Sequence, residues 1–123
     1  MHCDVGGGYL ETGLSDITLG WMLGRAVENG IQTVPSAAAR YTNIDPKHAL
    51  DQIHESWNVL WAFPERRTVP YDAVSADSVS IRLAGDAGYR PPNLRLDETG
   101  GLSGYRTEPV VGAARTFTAG GPA

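Results

Sequence analysis

The sequence predicts an α/β chain, two helices followed by short strands and extended segments, and three observations carry that reading. Residues 14–27 and 45–62 each place apolar side chains at helical spacing. Residues 67–96 instead alternate in short runs, such as Ser78-Val79-Ser80-Ile81-Arg82-Leu83, broken by Pro70, Gly85, Gly88, Pro91 and Pro92. With 123 residues and 41% apolar content, the chain is long enough for one hydrophobic core and too short for two.

Each element follows from local chemistry. The opening His2-Cys3-Asp4-Val5-Gly6-Gly7-Gly8-Tyr9 reads as a loop, since three consecutive glycines take backbone angles that side chains forbid, and no helix or strand is expected through it. In the first helix Leu14, Ile17, Trp21, Leu19, Met22, Leu23, Ala26 and Val27 fill much of the circumference, as in a helix packed on more than one side. Ser15 or Asp16 is its expected cap, and Asn29-Gly30 its left-handed stop. Residues 31–43 read as connecting structure. Asp45-Pro46 is a strong helix start, with the carboxylate as N-cap and the proline at the first position. Leu50, Ile53, Trp57, Leu60 and Trp61 then share one side, and Pro64 closes the helix. Beyond residue 96 the Gly, Thr and Ala content predicts a flexible tail over 97–123.

Charge and cysteine usage exclude several classes. A net charge of −4, with only Arg66 and Arg67 adjacent, argues against nucleic-acid partners, which require clustered cations to displace counterions. One cysteine, Cys3, cannot form an internal disulfide. No apolar run is long enough to span a bilayer, and the first thirty residues lack the pattern of a secretory signal.

The residue types able to do chemistry concentrate at the amino end, where a His, an Asp and exposed glycine amides fall within seven residues. A tight turn is the plain alternative for the glycines. Metal binding by His2, Cys3 and Asp4 with His48 and His54 is poorly served, because His48 and His54 are six apart on the expected helix and point to nearly opposite sides. Phosphate cradling fails as well, for no Lys-Ser or Lys-Thr follows the glycines. No cofactor is therefore expected. His54 reads as a brace of the second helix against neighbouring backbone, and Trp21, Trp57 and Trp61 as core or docking surface.

The wider pattern resembles the closing segment of a family of α/β-hydrolases that includes phospholipase effectors of the type VI secretion system. It is carried by His2-Cys3-Asp4-Val5-Gly6-Gly7-Gly8-Tyr9, then Gly13-Leu14-Ser15-Asp16-Ile17 and Trp21-Met22-Leu23. It continues in His54-Glu55-Ser56-Trp57, in Asp77-Ser78-Val79 with Arg82, and in Tyr89-Arg90-Pro91-Pro92-Asn93-Leu94, so that it covers residues 2–96. The triad of that fold runs serine, acid, histidine along the chain. The resemblance thus implies that residues 1–96 are the C-terminal segment of a hydrolase domain whose central parallel sheet is mostly missing, that His2 is the general base, and that the substrate of the full-length family is a lipid or ester. Asp4 is left with two roles, orienting the loop through backbone amides or bonding a neighbouring side chain, and loop support is the favoured one.

The departure from the family pattern is large. No Gly-x-Ser-x-Gly occurs: Ser15 stands in Gly13-Leu14-Ser15-Asp16-Ile17 and Ser103 in Gly101-Leu102-Ser103-Gly104-Tyr105, both without the second glycine. Nucleophile elbow, oxyanion hole and acid are expected to precede Met1. Three expectations follow: no esterase activity from this chain alone, apolar helix surface left without its sheet, and a base on a fraying terminus. Two functions fit, a truncated serine ester hydrolase or a non-catalytic module that docks on a separately encoded hydrolase half.

Overall fold

The computed structural model describes residues 2–54 and 67–112. Helix α1 spans His2–Gly6 and α2 spans Gly13–Glu28; a short α3, Pro35–Ala38, runs into a 3₁₀ turn at Ala39–Tyr41, and a second 3₁₀ segment covers Pro46–Leu50. Strand β1 (Val74–Ala76) leads directly into α4 (Asp77–Gly85), and β2 (Arg106–Glu108) pairs parallel with β1 in the register Val74↔Arg106, Ser75↔Thr107, Ala76↔Glu108.

The first helix appears two residues wider than its apolar pattern, and Asn29 with Gly30 (φ +84°) ends it as the sequence predicts. Its cap differs from expectation. Thr12 is the N-cap, Asp16 accepts from the Thr12 hydroxyl at 3.0 Å, and Ser15 returns its hydroxyl to the Thr12 carbonyl at 2.9 Å. The buried stripe of α2 is Gly13, Ile17 and Gly20, two of its three members lacking side chains. A Cβ on Gly20 would stand 2.4 Å from Ile44 Cδ1, so the missing side chain is what lets residue 44 lie against the helix.

The core gathers Ile17, Ile44, Ala49, Val110 and Val111, with Ala76 and Ile81 packed against it. Two of these five come from the region read as a flexible tail, so the expected boundary at residue 96 is corrected. Val110 is 1% exposed. Its amide and that of Val111 donate to the Asp77 carboxylate at 2.9 and 3.2 Å, and Gly112 donates to the Ile44 carbonyl at 2.8 Å. These partners lie more than thirty residues away, beyond the reach of local composition.

Three further expectations are corrected. The amino-terminal segment is not loop throughout: α1 forms one turn over His2–Gly6, and the left-handed glycines begin only at Gly7 (φ +81°) and Gly8 (φ +126°), which end it. The run Ser78–Leu83 is helix rather than strand, because Val79 and Leu83 stand at i,i+4 as well as in alternation, and α4 buries Arg82 and Leu83. Finally, the helix expected over 45–62 begins correctly, Asp45 accepting from the Lys47 amide at 3.0 Å, but closes as a 3₁₀ segment at Leu50. Arg82 Nη1 donates to the Ala49 and Asp51 carbonyls at 2.9 and 2.7 Å, and the His54 amide donates to Asp4. Groups that a continuing helix would use are thereby taken by tertiary partners. The expected helical residues Trp57, Leu60 and Trp61 lie outside the described residues.

Candidate functional site

The densest polar arrangement forms where α1 meets residue 54. Asp4 is 7% exposed, buried as few carboxylates are, and it accepts from the His54 amide at 3.1 Å and meets His54 Nδ1 at 2.7 Å. Tyr9, beyond the glycines, stacks its ring on the imidazole with centroids 3.8 Å apart and planes 22° from parallel. Glu11 Oε2 stands 3.7 Å from His54 Nε2. One histidine thus touches the chain on both sides of Gly6, Gly7 and Gly8.

Burial pushes the Asp4 carboxyl up, but the hydrogen bond from the His54 ring, the hydrogen bond and charge of the amino terminus, and the His54 amide together outweigh it and hold the group below its ordinary value of 3.8. At neutral pH the carboxylate is therefore ionised and can only accept. Facing a carboxylate that only accepts, the His54 ring carries a hydrogen on Nδ1 and donates it to Asp4. A carboxylate on Nδ1 fixes both ring plane and tautomer, which is how acids orient imidazoles in hydrolytic and metal sites.

A cavity of about 770 Å³ opens beside this cluster, with Asp4, Ser78, Arg82, Tyr89, Arg90 and Asn93 among the polar residues of its wall and Leu14, Ile17, Ile53, Val79 and Leu94 among the apolar ones. Arg82, 9% exposed, forms its most buried cationic wall. Its Nη1 donates to the two carbonyls, and the guanidinium lies 5.4 Å from the Tyr89 ring and 3.5 Å from Asp86, while its buried Nε has no hydrogen-bond partner among the described residues. Burial of the Tyr89 phenol raises its pKa, partly countered by the Arg82 charge. Arg90 likewise donates to the Leu83, Asp86 and Tyr89 carbonyls.

His2 opens α1, and its imidazole lies outside the described side chains. Asp4 accepts the backbone amide of His54 and meets its ring nitrogen, partners fifty residues away rather than amides of its own loop. His54 itself is corrected from a brace on a helix to the partner of Asp4 in an extended segment. Its one local signal is the motif His54-Glu55-Ser56-Trp57; nothing in local spacing links positions fifty residues apart. His48 sits on the second 3₁₀ segment with Nδ1 buried and without a hydrogen-bond partner among the described residues. Among the described residues no group of three or more His, Cys, Asp or Glu side chains could hold a metal ion, and no helix is long and apolar enough to cross a membrane.

No protein-family model, no curated protein and no solved structure matches the chain.

Proposed function

We propose that this chain is the histidine-bearing segment of a serine ester hydrolase of the lipase type, with His2 as general base and Asp4 supporting the turn that carries it. What supports the reading is convergence. Asp4, Ser78, Val79, Arg82 and residues 89–94 belong to three separate motifs of the resemblance, yet they line one cavity, and His54 of a fourth motif closes on Asp4.

In such a site the histidine takes the proton of the serine hydroxyl during attack on the ester carbonyl and returns it to the departing alkoxide. The nucleophile and the donors that stabilise the oxyanion supply most of the barrier reduction, and the 123 residues contain no Gly-x-Ser-x-Gly to provide them. The chain by itself is therefore inert toward esters, and the serine-bearing strands belong to a segment outside these residues.

A second reading rests on α2, where Leu19, Trp21 and Met22 are 41%, 40% and 57% exposed. It is that of a binding module completing a separately encoded hydrolase half. The purified chain and its His2→Ala variant, assayed on short-chain p-nitrophenyl esters, are expected to give the same background rate. Turnover that depends on His2 in the isolated chain would contradict the assignment of the nucleophile elsewhere. The flanking DNA separates the two readings: a serine elbow in a continuous or shifted frame indicates a single hydrolase, and a complete separate gene indicates complementation. Absence of any elbow-encoding stretch would contradict both.

A further inference from the structure

The His54 ring has no role in the chemistry just described, yet it makes contacts on both flanks of the glycine turn. Helix α1 has five residues, too few to hold a fixed orientation by its own hydrogen bonds. Its placement must come from tertiary contacts. Of the two side chains described on it, Val5 is 56% exposed and Asp4 is 7% exposed, so the anchor is polar. Behind it, Gly7 and Gly8 take positive φ, and a Cβ added at Gly6 or Gly7 would meet nothing within 4 Å, so packing does not confine the turn there. Besides the contact of α1 with α2, His54 restrains the turn from both sides, hydrogen-bonded to Asp4 before the glycines and stacked on Tyr9 after them.

We propose that His54 is a positioning residue for the general base: it clamps Asp4 and Tyr9, and through them fixes the single helical turn that begins with His2. The inference rests on reading His2 as the base, but it concerns the clamp, which exists in the chain as it stands. The clamp is chemically specific. Asparagine at position 54 carries its amide nitrogen at about the distance of Nδ1 from the backbone and can donate to Asp4, whereas glutamine carries it one bond further out.

The test compares the wild-type chain with His54→Asn, His54→Gln and Tyr9→Leu by NMR, following the Asp4 carboxyl carbon through an acid titration, amide exchange at Val5 to Gly8, and the ring resonances of His2. His54→Asn is expected to keep the low Asp4 midpoint, the wild-type His2 shifts and slow exchange at Val5 and Gly6, while the lost ring stack speeds exchange at Gly7 and Gly8 as in Tyr9→Leu. His54→Gln should raise the Asp4 midpoint, since burial is then less opposed, move the His2 ring resonances, and speed exchange at Val5 and Gly6 by about tenfold or more. Tyr9→Leu, which leaves the hydrogen bonds intact, should speed exchange at Gly7 and Gly8 and keeps the idea testable if the glutamine variant does not fold. Wild-type His2 shifts and exchange in both His54→Gln and Tyr9→Leu would overturn the proposal, as would equal losses at Asp4, Val5 and Gly6 in the asparagine and glutamine variants. An absent serine elbow in the flanking DNA would defeat the hydrolase reading without altering any of these spectra, so the two failures are distinguishable.

Discussion

Asp4 places an ionised carboxylate in a nearly water-free position, and the His54 ring and amide compensate the loss of hydration. Because its folded pKa is depressed, the stabilisation is complete above the ordinary value of 3.8 and is lost as pH falls through the lower folded value. Asp4→Asn keeps the shape but turns an acceptor pair into one acceptor and one donor facing the Nδ1 hydrogen. A loss of about 1–3 kcal/mol is expected at neutral pH, the usual range for hydrogen bonds to a charged group. The variant should also lose this part of the wild-type acid sensitivity. Urea unfolding at pH 7 and pH 3 measures both, and an Asp4→Asn midpoint equal to wild type at pH 7 would contradict the role given to this residue. The importance of Asp4 was legible in the sequence as a carboxylate within a motif; its partner was not, because hydrogen bonds across fifty residues leave no periodic trace.

Among the elements, α2 was the most legible, since sixteen residues of consistent spacing and an Asn-Gly stop are local signals. The start at Asp45-Pro46 was equally plain, whereas its early end depends on Arg82, more than thirty residues further on. In α4 the pattern of Val79, Ile81 and Leu83 satisfied two periodicities, and the sequence reading took the wrong one. The first residue of α4 also ties down residues 110 and 111: the Asp77 carboxylate holds the amides that carry Val110 and Val111 into the core. Asp77→Ala leaves two amides without their acceptor and is expected to cost about 2–3 kcal/mol, with Asp77→Asn losing less because one amide oxygen remains. Chemical denaturation checks this; a loss below about 0.5 kcal/mol for Asp77→Ala would place the restraint elsewhere.

At the scale of the molecule, a small core sits beneath a surface that still presents Leu10 at 97%, Val34 at 66% and Met22 at 57% exposure. Isolated apolar residues are ordinary on a surface, and α2 alone contributes Leu19, Trp21 and Met22 to them. The most direct measurement of the proposed function is ester turnover after the chain is mixed or fused with any serine-elbow segment that the flanking DNA encodes. Turnover that appears only in the combination and falls by a thousandfold or so with His2→Ala is the predicted result. Turnover by the combination that is indifferent to His2→Ala would contradict it.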